Sequence, residues 1–267
     1  MRNTFFQRLL IGSLLCLPAF APLTAQAETS QEKGLRLIDE ADKRDYGYVD
    51  LTAQMKMTLT DRLGKTSTRT IRMKMKEVEN DGDKSLSLFD TPSTIKGTAM
   101  LTHTHAVKPD DQWMYLPRLK RVKRISSKNK SGPFMGSEFA FEDLGSQEVA
   151  KYTYNYLRDE VIDGRDSWVI ERRPAYTHSG YTRQELWLDK ERYQPNQVIY
   201  YDRKNSKLKT QSFKGYQQYI GQYWRPDVML MVNHQTHKKT ELQWIGYTFK
   251  NGFKDRDFHK NGLKRAR

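Results

Sequence analysis

The sequence predicts a mainly β protein built on one large antiparallel sheet. Three observations carry that prediction: apolar–polar alternation around residues 51–59 and 71–75, turn residues that recur between short apolar runs along most of the chain, and few stretches with helical spacing. Of 267 residues, about 240 remain once an export signal is removed, a size that a single all-β domain commonly has.

The elements follow in order. Arg2 and Arg8 flank an apolar run over residues 9–20, and Ala25-Gln26-Ala27 supplies the small-x-small site at which a secretory signal is cut, so residues 1–27 read as a cleaved signal and 28–267 as one domain. The run is too short to span a bilayer. Lipid attachment at Cys16 is the competing reading, but Leu15 stands where that processing needs a small side chain. Cys16 is the one cysteine; its loss with the signal excludes disulfides, thiol catalysis and cysteine-ligated metals from the mature chain.

Residues 30–46 give the best helix, with Leu35, Ile38 and Ala41 or Asp42 at helical spacing, and 139–151 suggest a shorter one. Leu51, Ala53, Met55, Met57 and Leu59 then alternate with polar residues, Arg62-Leu63-Gly64-Lys65 turns the chain, and Ile71, Met73 and Met75 alternate on the way back. Asn80-Asp81-Gly82-Asp83 is a second turn, with residues suited to positive φ, and 84–89 returns as a third strand. Further strands are expected at 97–103, 112–116, 119–125, 151–158, 167–173, 182–188, 195–202, 207–216, 228–234 and 240–247. The basic run 250–267 reads as a loose tail.

A sheet of about ten strands with one or two helices to cover it must curl, and its apolar face must be closed by something or left as a cavity. Met55, Met57, Met73, Met75, Leu101, Trp113, Tyr115, Phe134, Met135, Phe139 and Phe141 are the expected lining. Ordinary core is the plain alternative. Methionine adapts to irregular shapes, which suits a surface for a floppy alkyl chain. At about 0.8 kcal/mol per methylene, a 16-carbon chain in water is disfavoured by roughly 12 kcal/mol, a cost that an oily half-barrel offsets without any chemistry.

The formal net charge is +14 over the whole chain and +12 once the two signal arginines are gone, a bias toward anionic partners. Export disfavours nucleic acid and leaves acidic lipid headgroups, lipopolysaccharide and acidic proteins. Arg118, Lys120, Arg121, Lys123 and Arg124, with Lys128 and Lys130 beyond, form a basic strip that either seats a headgroup, docks on an anionic membrane or transporter, or is a solvated strand face. Leu119, Val122 and Ile125, three apart, fit a regular strand poorly and suggest a bulge.

Chemical motifs are weak. His103 and His105 with Asp110 and Asp111 are candidates for a metal or an enzyme site, but lack a clear third ligand. Glu142-Asp143 are adjacent, so on a strand they point oppositely. Gly-Ser137-Glu-Phe is not a nucleophile elbow, and no phosphate-binding glycine loop occurs. No catalytic residue, metal or cofactor is expected.

Residues 90–144 resemble the LolA-like outer membrane lipoprotein-sorting protein family. The resemblance rests on Pro92, Ile95-Lys96-Gly97-Thr98-Ala99-Met100-Leu101, Asp111-x-Trp113-x-Tyr115-Leu116-Pro117, the basic stretch 121–124 leading into Ile125-Ser126-Ser127, Phe134-Met135-Gly136-Ser137-Glu138-Phe139 and Glu142-Asp143-Leu144. Trp187-Leu188-Asp189 with Pro195 fits more loosely. The resemblance implies an incomplete, strongly curved β-barrel capped by a few helices around a hydrophobic cavity for acyl chains. It implies a monomeric, non-enzymatic periplasmic carrier of lipoprotein or free lipid, with a lipid exporter of the resistance-nodulation-division type as a possible donor. A lipid-sensing regulator and an enzyme acting on an outer-membrane lipid or glycan are the rival readings.

Overall fold

The computed structural model describes residues 27–266; the segment expected to be a signal, apart from Ala27, lies outside them, Cys16 included. Thirteen strands form one antiparallel sheet, and two more make a small ribbon. In chain order they are β1 (Asp50–Thr60), β2 (Thr66–Lys76), β3 (Lys84–Thr91), β4 (Ala99–His103), β5 (Asp111–Leu116), β6 (Arg121–Ile125), β7 (Tyr152–Ile162), β8 (Arg165–Pro174), β9 (Arg183–Asp189), β10 (Pro195–Tyr201), β11 (Lys207–Lys214), β12 (Gln217–Tyr219), β13 (Tyr223–Arg225), β14 (Val228–Asn233) and β15 (Lys239–Phe249). The sheet order is β6-β5-β4-β3-β2-β1-β15-β14-β11-β10-β9-β8-β7, with β12 and β13 paired apart from it. β6 and β7 are free edges, so the sheet is not closed into a barrel. Buried residues from both halves of it share one apolar cluster, which means that it curls around a common inner face.

Because neighbouring strands run antiparallel, the turns fall into two sets. The connections β1–β2, β3–β4, β5–β6, β8–β9, β10–β11 and β14–β15 gather at one end of the sheet, here the rim; β2–β3, β4–β5, β7–β8, β9–β10 and the long β11–β14 link gather at the other.

The single α-helix among the described residues, α1 (Ser30–Asp45), starts where Thr29 and Glu32 cap each other's backbone N–H groups, and it buries Gly34, Leu37 and Ile38. The buried stripe is shifted from the expected one, leaving Leu35 44% exposed. Gly34 is required: a Cβ there would stand 2.9 Å from the Tyr156 amide nitrogen, so α1 lies directly on the backbone of edge strand β7.

Two expectations are corrected. Residues 139–151 form no α-helix. The whole connection 126–151 is a loop of short 3₁₀ turns, because Gly132, Pro133, Gly136 and Gly145 interrupt it and Met135 sits at φ 50°. The basic tail is not loose either. Asp50, 1% exposed, accepts hydrogen bonds from the backbone of Asn251, Gly252 and Phe253, and Phe258 and Leu263 pack on Leu88, Ala99 and Leu101, covering the outer face of β3–β5. Burial would raise the Asp50 carboxyl, but these bonds outweigh it and hold it below the ordinary value.

Candidate functional site

Register builds the inner face row by row. Ala53 pairs with Met73, Met73 with Ser87, Ser87 with Met100 and Met100 with Met114. Phe89, Ile71 and Met55 form the next row, and Met57, Leu242, Met229 and Phe213 a third. Each row points one way because side chains alternate along a strand. Met55, Met57, Phe134 and Phe139 are buried in the common cluster, with Met73, Met135 and Phe141 packed against it.

The other four expected lining residues lie elsewhere. Leu101, Trp113 and Tyr115 face outward, beneath the C-terminal segment, and Met100 and Met114 hold the inner positions of those strands. Parity was misread there because both faces of β4 and β5 are covered, so neither is polar. Met75 belongs to a separate cluster with Tyr48, Leu51 and Tyr223 near the end opposite the rim. Ile71, Phe89, Met231 and Leu242 are inner residues outside the expected lining.

The expected open cavity against the methionine wall is filled by the chain itself. Loop 126–151 crosses from β6 to β7 over the inner face, and its Phe134 ring lies 5.8 Å from Phe89 and 5.7 Å from Phe141. Arg69 Nη1 donates to the Met135 carbonyl, and Ser137 Oγ donates to the Phe134 carbonyl at 2.7 Å. The far side of the loop is held by charge. Lys209 Nζ reaches Asp143 at 2.7 Å and the Glu138 carbonyl at 2.9 Å, with both side chains of the ion pair only 4% exposed. Tyr181 donates to Asp143 at 2.9 Å, and Asn233 Nδ2 donates to Glu138 at 2.7 Å. Burial, and then the Asp143 charge, push the Tyr181 hydroxyl well above its ordinary value. Glu142 accepts from Gly180 N at 2.8 Å and Ser179 Oγ at 2.9 Å; burial raises its carboxyl despite these bonds.

The inner face therefore has two characters. β1–β5 present mostly methionine and aliphatic groups, whereas β8–β11 set Arg172, Gln184, Tyr200, Lys209 and Gln211, joined by hydrogen bonds and rings, beside the apolar Ile170, Leu186, Leu188 and Val198. Adjacent Glu142 and Asp143 both find partners there because they sit on a 3₁₀ turn and not on a strand.

Two openings adjoin this interior. A cavity of about 220 Å³ lies at the rim among Leu59, Thr66, Gly136, Glu138 and Lys239. A groove of about 620 Å³ runs between α1 and β7–β8, past Leu35, Tyr152, Tyr154 and Arg173.

The basic strip is a free edge. Arg124 pairs with Asp111; among the described residues Arg118, Lys120, Arg121 and Lys123 are exposed and no carboxylate pairs with them. The strip begins within a 3₁₀ turn at Pro117–Leu119, with Lys120 at φ 50° before β6, which accounts for its irregular apolar spacing. The two histidines have different hydrogen-bond partners. His103 Nε2 bonds the Phe258 carbonyl at 2.7 Å, while His105 lies between Asp81, at 2.8 Å, and Asp111, and Asp110 pairs with Lys151. No metal-binding group of three is found among the described residues. Asp189 is structural: against the upward push of burial, Arg165 at 2.6 Å and the Arg192 backbone hold its carboxyl far below the ordinary range.

An open, curled antiparallel sheet with an oily inner wall agrees with the half-barrel that the LolA resemblance implies, and comparison with known proteins bears on the same point. The model of a family described as "Uncharacterized protein" matches residues 81–265. An outer membrane lipoprotein-sorting protein domain from Vibrio parahaemolyticus is 53% identical, covers 88% of this chain and 100% of its own, and superposes with a TM-score of 0.87. A DUF1329 family protein from Desulfovibrio piger is 27% identical over 88% of this chain and 99% of its own, with a TM-score of 0.84. A LolA superfamily protein from Nitrosomonas europaea, 19% identical over 88% and 99% with a TM-score of 0.69, shares the fold. No curated protein matches. The chain belongs to the outer membrane lipoprotein-sorting protein family and shares the LolA fold.

Proposed function

We propose that the protein is a non-enzymatic periplasmic carrier that shelters acyl chains of a lipoprotein or free lipid on the methionine wall, with loop 126–151 displaced as the cargo enters. The observation that carries this reading is the manner in which the wall is covered. Among the described residues it is the loop that lays Phe134 and Phe139 on Met57 and its neighbours, while α1 adds Leu37 and Ile38 to the same cluster from its place on β7. Those rings occupy the ground that an alkyl chain would take, and their contact with the wall has no stereochemical demand that an alkyl chain could not meet. The 53% identical relative is described as lipoprotein-sorting, which agrees with such a role. Receipt of cargo from a resistance-nodulation-division exporter and action as a monomer belong to the same proposal. His103 and His105 are each engaged within the fold, His103 by the Phe258 carbonyl and His105 by Asp81 and Asp111, which favours the carrier over the rival enzyme reading.

The test is organic extraction of protein purified from the periplasm, followed by mass spectrometry. Met57→Lys is expected to abolish retained acyl lipid, because it sets a charge in a fully buried position on the wall. Met75→Lys, in the other cluster, is expected to leave retention unchanged. Equal loss in both variants, with circular dichroism showing both folded, contradicts the placement.

A further inference from the structure

We propose that the rim is a membrane-docking face that seats on an anionic lipid surface. The six rim connections together hold eight Lys and Arg against two acidic residues, whereas the five connections at the opposite end hold eight acidic residues against four basic ones. The strand connections are thus charge-polarised along the sheet, a pattern that net charge alone does not give. Both rim acids are engaged within their own turns. Asp61 accepts from Leu63 N at 2.8 Å and Lys65 N at 3.0 Å, and Asp202 from Lys204 N and Ser206 N, each at 2.9 Å. The rim cations Arg62, Lys65, Lys96, Arg118 and Lys120 are exposed, and among the described residues no carboxylate pairs with them.

Two large apolar side chains project among these cations, Leu63 at 84% exposure and Leu119 at 62%. Each stands at a turn tip held in shape by a left-handed residue, Gly64 at φ 83° or Lys120 at φ 50°. Exposed apolar tips also occur at the other end, Val107 for example, but there they stand among acids that an anionic surface repels. Leucine tips within a diffuse set of lysines and arginines suit a bilayer, where cations meet headgroups without fixed geometry and apolar tips enter the interface. An acidic protein strand would be better served by the free edge of β6 than by separated turn tips. The rim also carries the cavity beside Gly136 and Glu138, so docking brings the crossing loop toward the lipid. Docking itself does not depend on the carrier reading, because it is measured without cargo.

The experiment is co-sedimentation of the full mature chain with vesicles of mixed phosphatidylethanolamine and phosphatidylglycerol, against vesicles of phosphatidylcholine. Binding is expected only to the anionic vesicles and is expected to weaken with salt. The triple variant Arg62→Glu, Lys65→Glu, Arg118→Glu is expected to bind roughly a hundredfold less. Lys43→Glu, Lys56→Glu, Lys108→Glu, three exposed cations away from the rim, is expected to lose much less. Leu63→Ser with Leu119→Ser is expected to weaken binding while leaving its salt dependence in place. Equal loss in both charge triples, or no binding to anionic vesicles, overturns the proposal. Wild-type protein that ignores the vesicles but binds poly-glutamate through the rim overturns it in favour of an acidic protein partner.

Discussion

Asp143 and Lys209 surrender nearly all their water to meet at 2.7 Å, and the Tyr181 hydroxyl completes the shell of the carboxylate. Removing one partner of such a pair leaves a buried charge uncompensated, so Lys209→Met is expected to cost about 3–5 kcal/mol in urea unfolding, and Asp143→Asn with Lys209→Met to cost less. A single-variant loss below about 1 kcal/mol would mean that the pair behaves as a surface one. Asp83 gives a pH dependence of opposite sense to most carboxylates. Burial, with the nearby charges of Glu148 and Glu77, pushes its carboxyl from 3.8 up to about 7, against the 2.7 Å bond from the Tyr48 hydroxyl. The folded state then holds a proton that the unfolded state has released, so this group's contribution is full below its unfolded value and is lost as pH rises through about 7. Asp83→Asn, which can still accept from Tyr48, is expected to raise the melting temperature at pH 8 and leave it unchanged at acid pH; equal shifts at both would contradict the assignment.

Helix α1 is pinned to β7 by the absence of a side chain at Gly34. Gly34→Ala improves helix propensity by about 1 kcal/mol, yet its Cβ would meet Tyr156 N at 2.9 Å and Asn155 N at 3.1 Å. Contact with immovable backbone wins over propensity, so a net loss of about 1–3 kcal/mol is expected, together with faster proteolysis near residue 34. The same scale explains what could be read from the chain. β1 and β2 were legible because one face is wet: Gln54 and Lys56 alternate with Met55 and Met57. On β4 and β5 the outer face is greasy too, since Phe258 and Leu263 cover it, and period alone does not say which face of a doubly covered strand is inward. The loop is harder still. Its hold on the opposite wall joins residues 66 apart, Asp143 and Lys209, and nothing near either one in the chain announces the other.

For the whole molecule, a curled sheet of thirteen strands with one α-helix among the described residues leaves much of its inner wall to be covered by a connection. Loop 126–151 supplies that cover, and the account stands on its being exchangeable. Phe134→Ala thins the cover without touching the wall; it is expected to cost about 3–5 kcal/mol in the lipid-free protein and to increase the acyl lipid retained. Hydrogen exchange is expected to find the amides of 134–143 less protected once lipid is bound, because the loop has then left Phe89 and Met57. The most direct test is the lipid content of the protein purified from its native cells. Acyl lipid at near-equal molar amount in the wild type, absent from Met57→Lys and retained in Met75→Lys, is the result expected; wild-type protein free of lipid, and unable to take up a fluorescent fatty acid even as Phe134→Ala, would contradict the account.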